Sequence, residues 1–280
     1  MNKSSRERLG SLKLVNPAGI ERFGTLYVAE ARIRTISKWW VSILSGSLLN
    51  PFFYLTSLGV GVGTLINARM GNAGVDGVSY IKFLAPALLA QVAMNDFMAE
   101  TTFPVLQGFK WEKIFFAMNA TSLSGRQIAL GTYLGALVKT TITTSIYYCV
   151  LTAFGALQFF NDLPILIAVI YAAGCFAAVM MGAAATPEND DLFLNIMGRL
   201  LIMPLFLFSG TFYPLHSMPT ILQYIGYISP LWHSVELGRW ISYGHHIDTP
   251  ILALHLGYLA VMCLGGLLYS TRRFEYRLTK

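Results

Sequence analysis

The sequence predicts an all-α polytopic membrane protein with six transmembrane helices, and three observations support this class. Hydrophobic residues make up 55% of the 280 positions and charged residues only 12%, whereas a soluble domain carries roughly a quarter charged residues. Apolar stretches recur along the chain, each near the ~20 residues that cross a bilayer. Basic residues concentrate outside these stretches. Lipid is therefore the expected solvent for most of the chain.

The apolar stretches divide the chain into a leader and a membrane domain. Residues 1–39 form a cytoplasmic basic segment, and residues 40–280 form the transmembrane domain. The predicted spans lie at residues 40–66, 80–103, 127–154, 163–185, 192–209 and 251–269.

The distribution of Lys and Arg predicts a multi-pass protein of the cell membrane with both termini in the cytoplasm. The N-terminal segment and the C-terminal tail are both basic, and an even number of spans places them on one side. Residues 20–40 mix aromatic and aliphatic residues with Arg and Lys. This pattern favours an amphipathic helix that contacts lipids at the inner interface. A solvated basic leader is the alternative.

The second cytoplasmic loop, residues 105–124, is rich in aromatic residues that need a surface to bury against. It is either an interfacial helix or a docking helix for a cytosolic partner. At its end, Ser124 and Gln127 have the spacing of a capping box that begins the third span. The candidate contact residues are Phe109, Lys110, Trp111, Glu112, Lys113, Phe115 and Phe116.

Ionisable residues inside the spans are costly and are therefore candidates for function. Asp96 and Glu100 lie four residues apart, hence on one face of a helix. Lys139 and Arg199 lie in the third and fifth spans. These groups form either an internal set of ion pairs or part of a transport pathway. The Thr-rich face around Thr143 either lines that pathway or packs against a helix. No cluster of His or Cys supports a catalytic or metal site.

The stretch 204–239 places Pro and Gly at short intervals in mostly apolar sequence. A straight helix cannot continue through Gly210, Pro214, Pro219 and Pro230. Broken backbone at membrane depth is tolerated where it packs inside protein or faces a cavity. We therefore predict one or two short helices that turn back into the outer leaflet.

The same stretch resembles the ABC-2 family of ATP-binding-cassette exporter permeases. Residues 58–63, 80–86 and 185–189 agree with that family, so the resemblance covers nearly the whole chain. It is nearest to the nodulation-type lipo-oligosaccharide export permeases. The motifs are degenerate, and their order and spacing give the specificity. Eight residues carry the resemblance, and it implies that they form an outer gate. They are Ser209, Gly210, Phe212, Tyr213, Pro214, Pro230, His233 and Glu236.

The resemblance implies an architecture and partners. Such permeases have six spans, an N-terminal interface helix, a coupling helix between spans two and three, and short outer re-entrant helices before the last span. They act as dimers, with the same chain or a paralogue, bound to two cytosolic ATPase subunits. The expected cargo is a lipid-linked glycan, a glycolipid or an amphiphilic drug. The motifs do not separate these substrates.

The chain is therefore expected to be a transport permease and not an enzyme. It lacks the G-x-x-x-x-G-K-[ST] loop that cradles phosphates, so we expect ATP and magnesium to bind to the partner ATPase. No cofactor and no nucleic acid is expected on this chain. A secondary, ion-coupled exporter is the first alternative, although it would normally show repeated broken helices in both halves. A membrane-embedded transferase would need a larger soluble loop.

Overall fold

The computed structural model describes residues 17–70, 74–186 and 202–280, and the regular structure of these residues is helical except for one isolated bridge between Val75 and Val78. A π-helical segment, Leu55–Val62, joins α2 to α3, and a short 3₁₀ turn, Leu215–Ser217, precedes α9. The α-helices are α1 Pro17–Ser37, α2 Trp40–Tyr54, α3 Gly63–Met70, α4 Tyr80–Lys110, α5 Ile114–Asn119, α6 Gly125–Ala153, α7 Pro164–Ala184, α8 Met203–Leu207, α9 Thr220–Ile228, α10 Pro230–Tyr243 and α11 Thr249–Thr279.

Four helical stretches in the described part of the chain are long and apolar enough to cross a membrane: Trp40–Ile66, Gly125–Ala153, Pro164–Ala184 and Thr249–Thr279. They coincide with the predicted first, third, fourth and sixth spans. The chain is thus an all-α, multi-pass membrane protein.

The predicted second and fifth spans are not among these four helical stretches. The helix for the second span is present as α4, but it carries Lys82, Asp96 and Glu100, so its crossing of the membrane stays a prediction. Residues 187–201 lie outside the described residues, and with them Arg199 and most of the fifth span. After this gap only the short helix α8 precedes a turn at Phe208.

Two helices continue beyond the predicted ends of their membrane spans. Helix α4 continues from the predicted end at Phe103 to Lys110, because Val105, Leu106 and Phe109 bury in a second core cluster. Helix α11 continues from Tyr269 to Thr279 for the same reason, since Phe274 and Leu278 pack into that cluster. Apolar content alone could not predict these ends, because helices that leave the lipid can still be buried in protein.

Helix α4 is the central element of the fold. It packs along α7 and also contacts α6 and α10. Phe83, Leu84, Leu88 and Leu89 on α4 are fully buried in the main core cluster. Its opposite end reaches the second cluster. Helix α4 therefore connects the stretch 204–239, which is the predicted outer gate, to the predicted cytoplasmic face.

Small residues allow α7 and α11 to pack closely in parallel. A Cβ added at Gly182 would lie 3.1 Å from Cα of Ser270, and one added at Gly266 would lie 2.7 Å from the backbone nitrogen of Val179. The partners keep a nearly constant offset in sequence, which defines a parallel pair. Close approach at Gly and Ala is how helices associate in lipid.

The predicted N-terminal helix is present as α1, and it packs on α6. Gly131 and Gly135 of α6 face Val28 and Arg32, with no room for a Cβ. The side-chain amide of Gln127 donates to the carbonyl of Glu21 at 2.9 Å. The position of α1 in the membrane interface remains a prediction.

The segment between α4 and α6 is a tight reversal followed by one short helix. Lys113 has φ of +54°, a conformation uncommon for residues other than Gly, and α5 follows directly. The predicted capping box at the start of α6 is confirmed: Ser124 Oγ accepts from Gln127 N at 3.2 Å, and Gln127 Oε1 accepts from Ser124 N at 3.0 Å.

Candidate functional site: a buried charge cluster beside a polar cavity

The predicted intramembrane charges meet in one cluster. Lys139 on α6 forms ion pairs with Asp96 and, at 3.2 Å, with Glu100, both on α4. Arg32 on α1 donates to the other oxygen of Glu100 at 2.8 Å. Thr143 Oγ1 donates to the second oxygen of Asp96 at 2.8 Å. Two cations and two anions from three helices therefore satisfy one another.

Of the predicted site residues here, the structure brings together Asp96, Glu100, Lys139 and Thr143, and their role in transport stays a prediction. Arg32 was missed, because it was assigned to the basic leader. One signal for it exists: Arg32 lies one helical turn after Val28 on α1, on the face that meets Gly131 and Gly135. Burying a charge without a partner is expensive, and Arg32 gives Glu100 a second partner besides Lys139.

A polar cavity of about 480 Å³ lies beside the cluster. Small-molecule sites typically enclose about 300–1,000 Å³. Three helices each present one stripe to it, with the spacing of a single helical face. The polar residues among its lining are Ser42, Ser47, Asn50 and Tyr54 on α2, Gln91, Asn95 and Asp96 on α4, and Lys139, Thr143 and Tyr147 on α6.

A second charged centre organises the broken stretch before α11. Arg239 is 1% exposed, and its guanidinium donates to Gly210 O at 2.8 Å and to Glu236 at 3.1 Å. It also lies 3.8 Å from the ring centroid of Phe83. Arg239 therefore ties the turn at Gly210 to α10 and α4. The sequence signal was its i+3 spacing from Glu236.

Gly210 has φ of +73°, a left-handed conformation that favours glycine. Ser209 is fully buried and shares a hydrogen bond with Thr211 at 2.8 Å. Phe212 packs edge-on against Phe206, whereas Tyr213 is partly exposed. Pro214 and Pro230 lie directly before the 3₁₀ turn and at the start of α10.

His233 belongs to a separate contact and not to the Arg239 centre. Its Nδ1 lies 2.7 Å from Nδ1 of His255 on α11, and its Nε2 lies 3.1 Å from Tyr227 O. Its ring stacks on Tyr258 at 4.1 Å between centroids. His233 thus links α9 and α10 to α11.

Glu236 contacts His245 in the loop after α10, at 3.3 Å. Hydrogen bonding to Glu236 raises the pKa of His245 above its usual value, against the effect of burial, and nearby Asp76 adds to this. Burial alone would raise the pKa of Glu236, but His245 and Arg239 outweigh it and hold that pKa below its usual value. The pair is therefore favoured as ions.

At the other end of α4, the aromatic residues of 105–124 fall into two groups. Phe109 and Phe115 are buried against Phe274 of α11, so they pack beneath the exposed residues of this segment. The exposed residues from 110 to 116 are Lys110, Trp111, Glu112, Lys113, Ile114 and Phe116. These six residues form what we call the coupling surface.

Within the described ranges, no three His, Cys, Asp or Glu side chains converge as metal ligands would. The site consists of buried ion pairs and a polar cavity. Helix α4 connects it to the Arg239 centre at one end and to the coupling surface at the other. These features define a multi-pass helical membrane protein with a polar compartment between its helices.

Comparison with known proteins identifies the family. Residues 112–271 match the family model described as "ABC-2 family transporter protein". The chain is 32% identical to nodulation protein J of Neorhizobium galegae, over 85% of this chain and 87% of that protein. It is 28% identical to nodulation protein J of Rhizobium leguminosarum bv. viciae, over 84% and 87%, and 27% identical to that of Rhizobium meliloti (strain 1021), over 83% and 86%. The chain belongs to the ABC-2 family of transporter proteins and is a transport component.

Proposed function

We propose that the chain is the permease subunit of an ATP-driven exporter, energised by a separate ATPase subunit. The observation that carries the proposal is family membership over most of the chain. In this proposal the chain crosses the cell membrane six times, has both termini in the cytoplasm, pairs with a second permease and moves a lipid-linked glycan or glycolipid outward.

The geometry supports a path from the ATPase to the cavity. The coupling surface lies on α5 and the end of α4, and Phe109 beneath it packs on Phe115 and Phe274. Helix α4 also carries Asp96 and Glu100 and continues without a break to Lys110. A displacement of the coupling surface would therefore move the charge cluster and the cavity wall together.

The test of coupling uses two tryptophans of similar exposure. Trp111 is 51% exposed on the coupling surface, and Trp240 on α10 is 43% exposed. We expect Trp111→Ala combined with Glu112→Lys to lower the amount of co-purified ATPase subunit, because a contact ring and a charge are lost together. Trp240→Ala is the matched control and should leave it unchanged.

Export itself is tested on whole cells. Cells that lack the chain should lose glycolipid that a membrane-impermeant periodate reagent oxidises at the outer surface, and the wild-type chain should restore it. Equal surface labelling with and without the chain would contradict glycolipid export.

A further inference from the structure

A second cavity of about 290 Å³ lies beside the polar cavity and differs from it in character. Helices α1, α2 and α6 line it. Nearly all of its wall is hydrocarbon, and we call it the apolar groove. Its main aliphatic residues are Ile33, Ile36, Leu44, Val138, Ile142 and Ile146.

The polar cavity and the apolar groove adjoin one another, since Ile43 and Lys139 line both. The lysine has a hydrocarbon stem and a charged end, and such side chains commonly divide themselves between apolar and polar surroundings. Its ammonium group is held by Asp96, which lines the polar cavity. The two spaces thus form one site with an apolar part and a hydrogen-bonding part.

Several side chains of the polar cavity match the hydroxyl groups of a ligand. Asn50, Gln91 and Asn95 present amides, each with both donor and acceptor atoms. Tyr54 adds a second aromatic ring with a polar tip. This combination can bind a hydroxyl-rich headgroup from several directions.

The charge balance favours an uncharged headgroup. Arg32 and Lys139 are both engaged by Asp96 and Glu100. An anionic headgroup would have to break one of these buried ion pairs. The free energy lost by breaking the pair is larger than the free energy gained from a new, partly exposed ionic contact.

We propose that the polar cavity and the apolar groove together bind an amphiphile, with an uncharged, hydroxyl-rich headgroup among Asn50, Gln91 and Asn95 and an acyl chain in the groove. The proposal rests on the proposed function, because it makes this site the lateral entry of the exported substrate from the membrane.

The test uses the full-length chain, with any subunits that co-purify, in lipid nanodiscs. The probe is an alkyl maltoside with a photoactivatable diazirine in the alkyl chain. Cross-linked peptides are mapped by mass spectrometry, and we expect them within residues 33–44 and 135–146. Unlabelled alkyl maltoside should compete, and an alkyl phosphate of equal chain length should compete at least about tenfold less well, which corresponds to about 1.4 kcal/mol.

Two variants separate the halves of the site. Ile142 is 52% exposed, so Ile142→Trp can fill the groove without disturbing the core, and it should reduce labelling about tenfold. Leu264→Trp on α11, where the leucine is 66% exposed, is the matched control and should label as wild type. Asn50 lines the polar cavity and is exposed, so Asn50→Ala should raise the maltoside concentration needed for half-maximal labelling about fivefold, by loss of one hydrogen bond.

Three results would overturn the site: equal labelling of α11, no difference between Ile142→Trp and Leu264→Trp, or equal competition by alkyl phosphate. The readout is binding, so it is independent of transport. Labelling elsewhere on a chain that retains its ATPase would reject the site alone. Labelling as expected on a chain without an ATPase would reject the proposed function alone.

Discussion

The salt-bridged carboxylates of α4 show how individual residues make a charged cluster stable inside an apolar protein. Asp96 and Glu100 each contact Lys139, and Glu100 also contacts Arg32. All four side chains are only 14–23% exposed. Removing one partner leaves a charge without compensation, which is more harmful than removing a pair.

Lys139→Met should therefore destabilise the protein, by about 2 kcal/mol, less than the 3–5 kcal/mol of a fully buried pair because the groups are partly exposed. Adding Asp96→Asn should recover part of the loss, since one unpaired carboxylate is removed. Thermal unfolding in detergent measures both. A double variant less stable than Lys139→Met would contradict the ion-pair account.

The His245–Glu236 contact should make the loop after α10 sensitive to pH. The pKa of His245 is raised in the folded protein, so its contribution to stability is fully present below about pH 6.5, its ordinary pKa, and is lost as the pH rises through the raised value. Hydrogen exchange of residues 236–246 should be slower at pH 6 than at pH 8, beyond the intrinsic effect of pH. His245→Gln should remove that difference, and its persistence would argue against this pair.

At the scale of helices, the packing of α1 on α6 depends on two glycines. A Cβ at Gly131 would lie 2.5 Å from Cβ of Val28 and 2.7 Å from a backbone oxygen of α1. The backbone cannot yield as a flexible side chain can, so larger residues must displace α1. Arg32 would then leave Glu100.

Gly131→Val should accordingly expose α1, seen as faster proteolysis near residues 20–37. Gly257→Val is the control, because nothing lies within 4 Å of a Cβ there, and the change in helix propensity from Gly to Val is common to both. Equal proteolysis of the two variants would show that α1 does not depend on this contact.

The parallel register of α7 and α11 predicts a cross-link. The thiols of Cys175 and Cys263 are in contact, at the same sequence offset as Gly182 and Ser270. Copper phenanthroline should join them, and tryptic mapping should find the disulfide peptide. Cys149 lies outside this interface and should remain free. No disulfide after complete oxidant exposure would contradict the register.

The positions of the long helices were easier to predict from the sequence than their boundaries or the contacts between them. Apolar length located α2, α6, α7 and α11, and the i, i+4 spacing of Asp96 and Glu100 placed both on the face that meets Lys139. The burial of Phe109 and Phe115 depends on Phe274, far along the chain, and local sequence does not carry that information. Arg239 was missed as a centre because its partner Gly210 comes from a turn and not from a helix face.

For the whole molecule, α4 joins three regions: the Arg239 centre, the charge cluster and the coupling surface. Phe83 at one end lies under Arg239, and Phe109 at the other packs beneath the coupling surface. This arrangement suits a subunit that transmits movement from an ATPase to a cavity. The proposed transmission of movement through α4 requires that an ATPase binds to the coupling surface.

The most direct test is to purify the tagged chain in mild detergent from the cells that make it naturally. The account predicts a co-purified subunit that hydrolyses ATP and that is lost with the combined Trp111→Ala and Glu112→Lys variant but kept with Trp240→Ala. A chain that purifies intact, at native abundance, without any ATP-hydrolysing subunit would contradict the central claim.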